Sequence, residues 1–287
     1  MKITAIIPSI RDETRLVNNL KNQIDIKFEI EIIKNVYPNG KARNTGISKH
    51  PDSDVYIFLD DDIELNRNDL LKQMIDGLEK LPEASACGIV RSVPEKGVNW
   101  FQQRIGHEVP LYNITPPSEF KLCELPLKGK YWLLISTTCI AIKKHVFDKI
   151  GLFREDMPKG VDTEFFYRMA LANLKFTVVP NVTIEHYPPA TLVDFIKTHF
   201  YYGFGHAFES KLYPHRGIGY PQNVFILLLF FVLRLLFFPI HIFLPYSAFY
   251  KRYFISFCPF IAIASLSSFF GYCYFFLKAE NKHIPKG

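Results

Sequence analysis

The chain opens on an apolar run at residues 3–7, closed by Pro8 and Ser9, and similar branched or aromatic runs return at 28–33 and 55–59. Each is too short for a helix and sits between polar stretches, which predicts buried strands. Between them, 13–23 and 42–49 read as helices, with a turn at Asn39-Gly40-Lys41. A further helix is predicted over 68–80, stopped by Pro82. Strands alternating with helices at this spacing predict a doubly wound α/β sheet with parallel strands. Such sheets bind ligands outside the carboxyl ends of their strands.

The pattern is less regular from 84 to 145. A strand is predicted at 86–93, and 94–130, with five prolines, reads as loop. A strand pair is expected at 131–142 around Thr137-Thr138, and a short helix at 147–153 ending at Gly151. Residues 162–174 read as a helix with Phe165, Phe166, Met169 and Leu171 on its apolar side. Strands follow at 176–179 and 182–187, the second reaching His186.

Near residue 223 the pattern changes. Residues 223–250 are almost wholly apolar, broken by Arg234, His241 and two prolines, and 253–277 adds 25 more. Each stretch exceeds the roughly 20 residues that span hydrocarbon. The expected organisation is a catalytic domain over 1–215 and a membrane-associated helical region over 216–287. Its helices either cross the bilayer or lie in its interface.

A net charge of +6 without a basic run interleaved with aromatics argues against nucleic acid. It suits an anionic membrane surface instead. Five cysteines lacking any CxxC spacing read as reduced thiols, which points to a cytosolic face.

The chemistry concentrates where the 55–59 strand runs into Asp60, Asp61 and Asp62. Three adjacent carboxylates repel one another unless a cation sits among them. Alternation sends Asp60 and Asp62 to one side and Asp61 to the other. Hard oxygen ligands at a strand end suit Mg2+ or Mn2+ carrying a phosphate. A solvated acidic turn or helix cap is the other use of such a triplet. Gly160-Val161-Asp162-Thr163-Glu164 sets further carboxylates at a helix start, where the dipole favours negative charge. His186 precedes Pro188-Pro189, and residues 199–206 bring aromatics, Tyr201 and Tyr202 among them, beside the apolar region.

Taken in order, Thr4-Ala5-Ile6-Ile7-Pro8, Lys41-Ala42-Arg43-Asn44-Thr45-Gly46-Ile47, Ile57-Phe58-Leu59-Asp60-Asp61-Asp62, Asp162-Thr163-Glu164 with Arg168, and His186 resemble glycosyltransferase family 2. These are inverting enzymes of the GT-A fold, a doubly wound mixed sheet. The resemblance implies Mn2+ or Mg2+ held by Asp60, Asp62 and His186, and Asp162 as general base. It implies donor contacts from Pro8, Ser9, Arg11, Lys41, Asn44, Asp60 and Asp61, with a UDP-sugar favoured. Glu164, Tyr201 and Tyr202 become candidates for the acceptor. The chain departs from the family where Lys34-Asn35 follows the second strand in place of an acid, and where Val161 precedes Asp162 in place of glutamate.

The implied reaction is a single displacement that moves the sugar to a hydroxyl of a lipid-linked or glycan acceptor. The expected place is the cytoplasmic face of the cell membrane. Transfer to a polyprenyl phosphate and an inactive GT-A subunit of a membrane assembly are the alternatives. A metal-dependent phosphoryl-transfer enzyme is a further reading, against which stands the lack of any P-loop motif.

Overall fold

A computed structural model describes residues 1–10, 15–109, 114–125, 135–214 and 259–279, and between them 225–226, 228–229, 232–233 and 236. The chain divides into two compact units, Met1–Ala190 and Thr191–Gly287.

The first unit is built on an eight-stranded sheet. Its strands are β1 (Ile3–Ser9), β2 (Glu29–Lys34), β3 (Val55–Leu59), β4 (Ile63–Glu64), β5 (Ala84–Ser92), β6 (Cys123–Glu124), β7 (Cys139–Lys143) and β8 (Lys175–His186). They lie in the order β2-β1-β3-β7-β5-β8-β4, with β6 paired to β8. The expected parallel pairing holds for β2, β1 and β3, and again for β5 with β8. It fails at β7, which enters between β3 and β5 antiparallel to both. The sheet is therefore mixed. All five residues of β3 are buried, as a central strand covered on both faces requires.

The helices of this unit are α1 (Arg15–Lys21), α2 (Asn39–Lys49), α3 (Leu70–Lys80), α4 (Trp100–Glu108), α5 (Lys144–Ile150) and α6 (Val161–Leu171). Asn39-Gly40-Lys41 is the first turn of α2 and not a separate turn. Gly40 is there for close approach, because a Cβ would overlap the Arg154 carbonyl oxygen. Helix α4 lies in the stretch expected to be loop. A capping box starts it: the Asn99 side chain accepts from the Gln102 N–H at 2.9 Å, and the Gln102 side chain accepts from the Asn99 N–H at 3.0 Å. The two strands expected near residue 180 are one, carried through Asn181 at φ 56°. On α6 the apolar side is Phe165, Phe166 and Met169, whereas Leu171 is 54% exposed. Of the strand pair expected at 131–142, positions 131–134 lie outside the described residues.

In the second unit α7 (Leu192–Leu212) packs on α8 (Pro259–Ala279). Their backbones touch at two glycines. A Cβ on Gly203 would overlap the Ser268 carbonyl oxygen, and one on Gly271 the Phe200 carbonyl oxygen. Ser268 Oγ donates to the His199 carbonyl at 2.9 Å, and the Ser210 and Tyr272 hydroxyls meet at 3.0 Å. Most of 223–250, and 253–258, lie outside the described residues. Among the described residues no helix is long and apolar enough to cross a membrane.

Candidate active site

The site grows from the carboxyl end of β3. The Asp60 N–H donates to the Thr138 carbonyl at 3.0 Å, which carries the strand one residue beyond Leu59 before the chain turns. The three carboxylates then go three ways. Asp60 Oδ1 accepts from Arg43 Nη2 at 2.9 Å. Asp61 Oδ2 accepts from Ser9 Oγ at 3.0 Å and from the Ile10 N–H at 3.4 Å, fastening the end of β1. Asp62 Oδ1 faces His186 Nε2 at 3.6 Å.

His186 reaches Asp62 through strand pairing. Strand β4 runs antiparallel to the end of β8, with Ile63 opposite His186. The Tyr187 N–H also reaches the Asp62 carbonyl at 3.5 Å. Burial pushes the His186 pKa down, the charges of Asp62 and Asp60 pull it up, and Arg91 and Lys159 push it down again. The net shift is downward, so the ring is neutral, the form that ligates metals.

Among the described residues, buried Asp62 Oδ1 and His186 Nδ1 have no hydrogen-bond partner. A buried carboxylate oxygen without a donor is expensive unless a cation meets it. The 3.6 Å separation is too long for a hydrogen bond and matches two ligands of one ion at about 2.1 Å each. Oxygen with neutral imidazole fits Mn2+ better than Mg2+. No ready-made group of three His, Cys, Asp or Glu ligands occurs among the described residues. Asp60 is turned to Arg43 and Asp61 to Ser9.

The second candidate element is the start of α6. Gly160 caps it in the left-handed region at φ 82°, and half-buried Asp162 is its second residue. Asp162 Oδ1 accepts from the Thr163 N–H at 3.0 Å. The Lys159 charge, on the loop before α6, helps to lower the His186 pKa. Tyr37 Oη supports that loop by donating to the Pro158 carbonyl at 3.2 Å. Gly40 packs against Arg154 and Val161, so the starts of α2 and α6 meet, with Lys41 exposed on the first turn of α2.

Two expected ligand contacts are corrected. Glu164 is fully buried, and Arg168 Nε and Nη2 grip its carboxylate in two bonds of 2.9 Å. It faces the interior and not an acceptor. Asn44 is also consumed by the fold. Its Nδ2 donates to the Phe153 carbonyl at 2.8 Å and to Glu155 Oε1 at 2.9 Å, while its Oδ1 accepts from the Phe153 N–H at 3.0 Å. Pro8 is half-buried and Ser9 buried at the end of β1. Tyr201, 47% exposed, and Tyr202, beside the His199 ring, lie on α7 in the second unit. Arg11 lies outside the described residues.

Arg43 and Arg91 were not assigned a role in the sequence. Arg43 stood inside a quoted motif. Arg91 is buried in β5, where its Nη1 donates to Ser136 Oγ at 3.2 Å and Thr138 Oγ1 at 3.4 Å. An arginine inside an otherwise apolar strand was the available signal.

Residues 10–151 match the family model described as Glycosyl transferase family 2, and the chain carries a domain of that family. It is similar to the O-antigen chain rhamnosyltransferase RfbN of Salmonella typhimurium, 26% identical over 187 residues, covering 64% of this chain and 56% of that protein. It is also similar to the O-antigen biosynthesis protein RfbC of Myxococcus xanthus, 23% identical over 162 residues, 53% of this chain and 12% of that protein. The chain thus spans about half the length of one relative and far less of the other. Among solved structures, S. aureus TarS 1-349 in complex with UDP aligns with a TM-score of 0.48 at 14% identity, covering 100% of this chain and 95% of that one.

Proposed function

We propose that the chain is an inverting glycosyltransferase that moves a sugar from a nucleotide-diphosphate donor to a hydroxyl of a lipid-linked or glycan acceptor. The observation that carries this reading is Asp62 Oδ1, at the carboxyl end of β3 within the family 2 match, standing 3.6 Å from His186 Nε2. Asp62 and His186 would hold Mn2+ or Mg2+. A cation held there would supply positive charge against the departing nucleotide diphosphate.

The chain's own groups do the rest. Asp162, at the start of α6, takes the proton of the acceptor hydroxyl, a role that supplies roughly 100- to 10,000-fold. Asp61 fixes the end of β1 beside the donor, and Lys41 and Lys159 add positive charge facing the diphosphate. UDP is the favoured nucleotide. The likeness to O-antigen proteins supports a place in polysaccharide biosynthesis. The apolar residues of 223–250 and 253–277 support action at the cytoplasmic face of the cell membrane.

Donor hydrolysis across a panel of UDP-, GDP- and dTDP-sugars, with Mn2+ or Mg2+, tests the reaction. The expected result is metal-stimulated release of one nucleotide diphosphate. Alkaline carbonate extraction of the full chain tests the membrane reading, and recovery in the soluble fraction before carbonate contradicts it.

A further inference from the structure

We infer that Arg43 is a positioning residue that occupies the Asp60 carboxylate, weakening it as a ligand for the cation, and ties it mechanically to the helix bearing Asp162. The inference rests on the function proposed above.

Arg43 is 3% exposed, and its Nη2 meets Asp60 Oδ1 at 2.9 Å. Its guanidinium carbon lies 5.6 Å from the centre of the Phe153 ring. Phe153 stacks on Phe165 with centroids 4.3 Å apart, and Arg168 lies 5.2 Å from the centre of the Phe165 ring. The result is a continuous column, Arg43–Phe153–Phe165–Arg168. Both ends are anchored: Arg43 by Asp60, and Arg168 by Glu164 and by the carbonyls of Ile150, Gly151 and Leu152. Asn44, next to Arg43, fastens the Phe153 backbone through both its N–H and its carbonyl. Asp60, α2, the 150–155 segment and α6 are therefore one packed body. Small shifts at either end are transmitted, because a packed interior does not deform locally.

The electrostatic consequence is specific. A fixed guanidinium on Oδ1 leaves Asp60 a weakened ligand, and its charge repels a nearby dication. Asp62 and His186 then carry the cation, while Asp60 stays at a set distance from the donor. A lysine would keep the charge but lose the guanidinium's cation–π contact with Phe153.

The test is Mn2+ titration of the metal-free full chain, followed by the resonance of free Mn2+, alongside donor hydrolysis. Arg43→Met should bind Mn2+ about threefold or more tighter, because a repelling charge is removed and Asp60 is released. Its kcat should fall about tenfold or more, because Asp60 is no longer fixed. Arg43→Lys should keep wild-type Mn2+ affinity and still lose kcat. Unchanged or weaker Mn2+ binding by folded Arg43→Met overturns the inference. If that variant does not fold, Asp60→Asn decides: Mn2+ affinity within about threefold of wild type supports the inference, and a loss as large as that of Asp62→Asn overturns it. A wild-type chain that takes up no Mn2+ contradicts the proposed function itself, a separate failure.

Discussion

His186 Nε2 stands 3.6 Å from Asp62 Oδ1, although the two residues lie far apart in sequence. The short pairing of β4 with the end of β8 creates this relationship, with Ile63 opposite His186. The turn after Asp60 that lets β4 double back is therefore part of the site. Neither side chain gains a hydrogen bond from the other at this distance.

Asp162 and Glu164 are two residues apart and should behave oppositely. Asp162→Asn keeps the shape and removes basicity, so turnover should fall about 100-fold or more while donor affinity changes little. Glu164→Gln breaks a buried two-pronged pair with Arg168 and should cost roughly 3 kcal/mol of stability. The fraction that stays folded should keep far more of its kcat than Asp162→Asn does. Paired kinetics and urea unfolding check both, and a stable but inactive Glu164→Gln reverses the assignment.

Asn44 should act on stability and not on the donor. Asn44→Leu strands the Phe153 N–H and carbonyl in a buried place, a loss of about 1–3 kcal/mol. Donor KM, measured below the lowered thermal midpoint, should stay at the wild-type value. A raised KM with unchanged stability would place Asn44 against the donor after all.

His199 makes the second unit sensitive to acid. Burial lowers its pKa from 6.5 to about 4, so the folded unit resists protonation while the unfolded chain accepts it at the ordinary value. This depresses a base, so stability is complete above pH 6.5 and declines as pH falls from 6.5 toward 4, by at most roughly 3 kcal/mol. Denaturant unfolding across that range should show the decline. His199→Phe should flatten it, and a slope equal to wild type in that variant would assign the effect elsewhere.

Much of this was legible where the signal is local. The β3 run and its aspartates are contiguous, and an apolar strand ending in charge can be read without a fold. The partnership of Glu164 with Arg168 was also readable, since residues four apart share a helix face. Helix α4 was hidden because its start depends on one capping box set among prolines. The antiparallel entry of β7 between β3 and β5 is a long-range choice that no window of sequence contains. Arg43 sat in a quoted motif, yet its partner Asp60 follows an intervening strand, and only the sheet brings the two together.

The most direct test of the account is Asp62→Ala assayed for donor turnover with added Mn2+, beside wild type with and without chelator. Asp62 Oδ1 accepts no hydrogen bond among the described residues, so its removal should leave the thermal midpoint of the metal-free protein unchanged or raised. The account predicts that chelator silences the wild type, that Mn2+ restores it, and that Asp62→Ala stays silent with Mn2+ present. Full wild-type turnover in chelator, or an active Asp62→Ala, would contradict it.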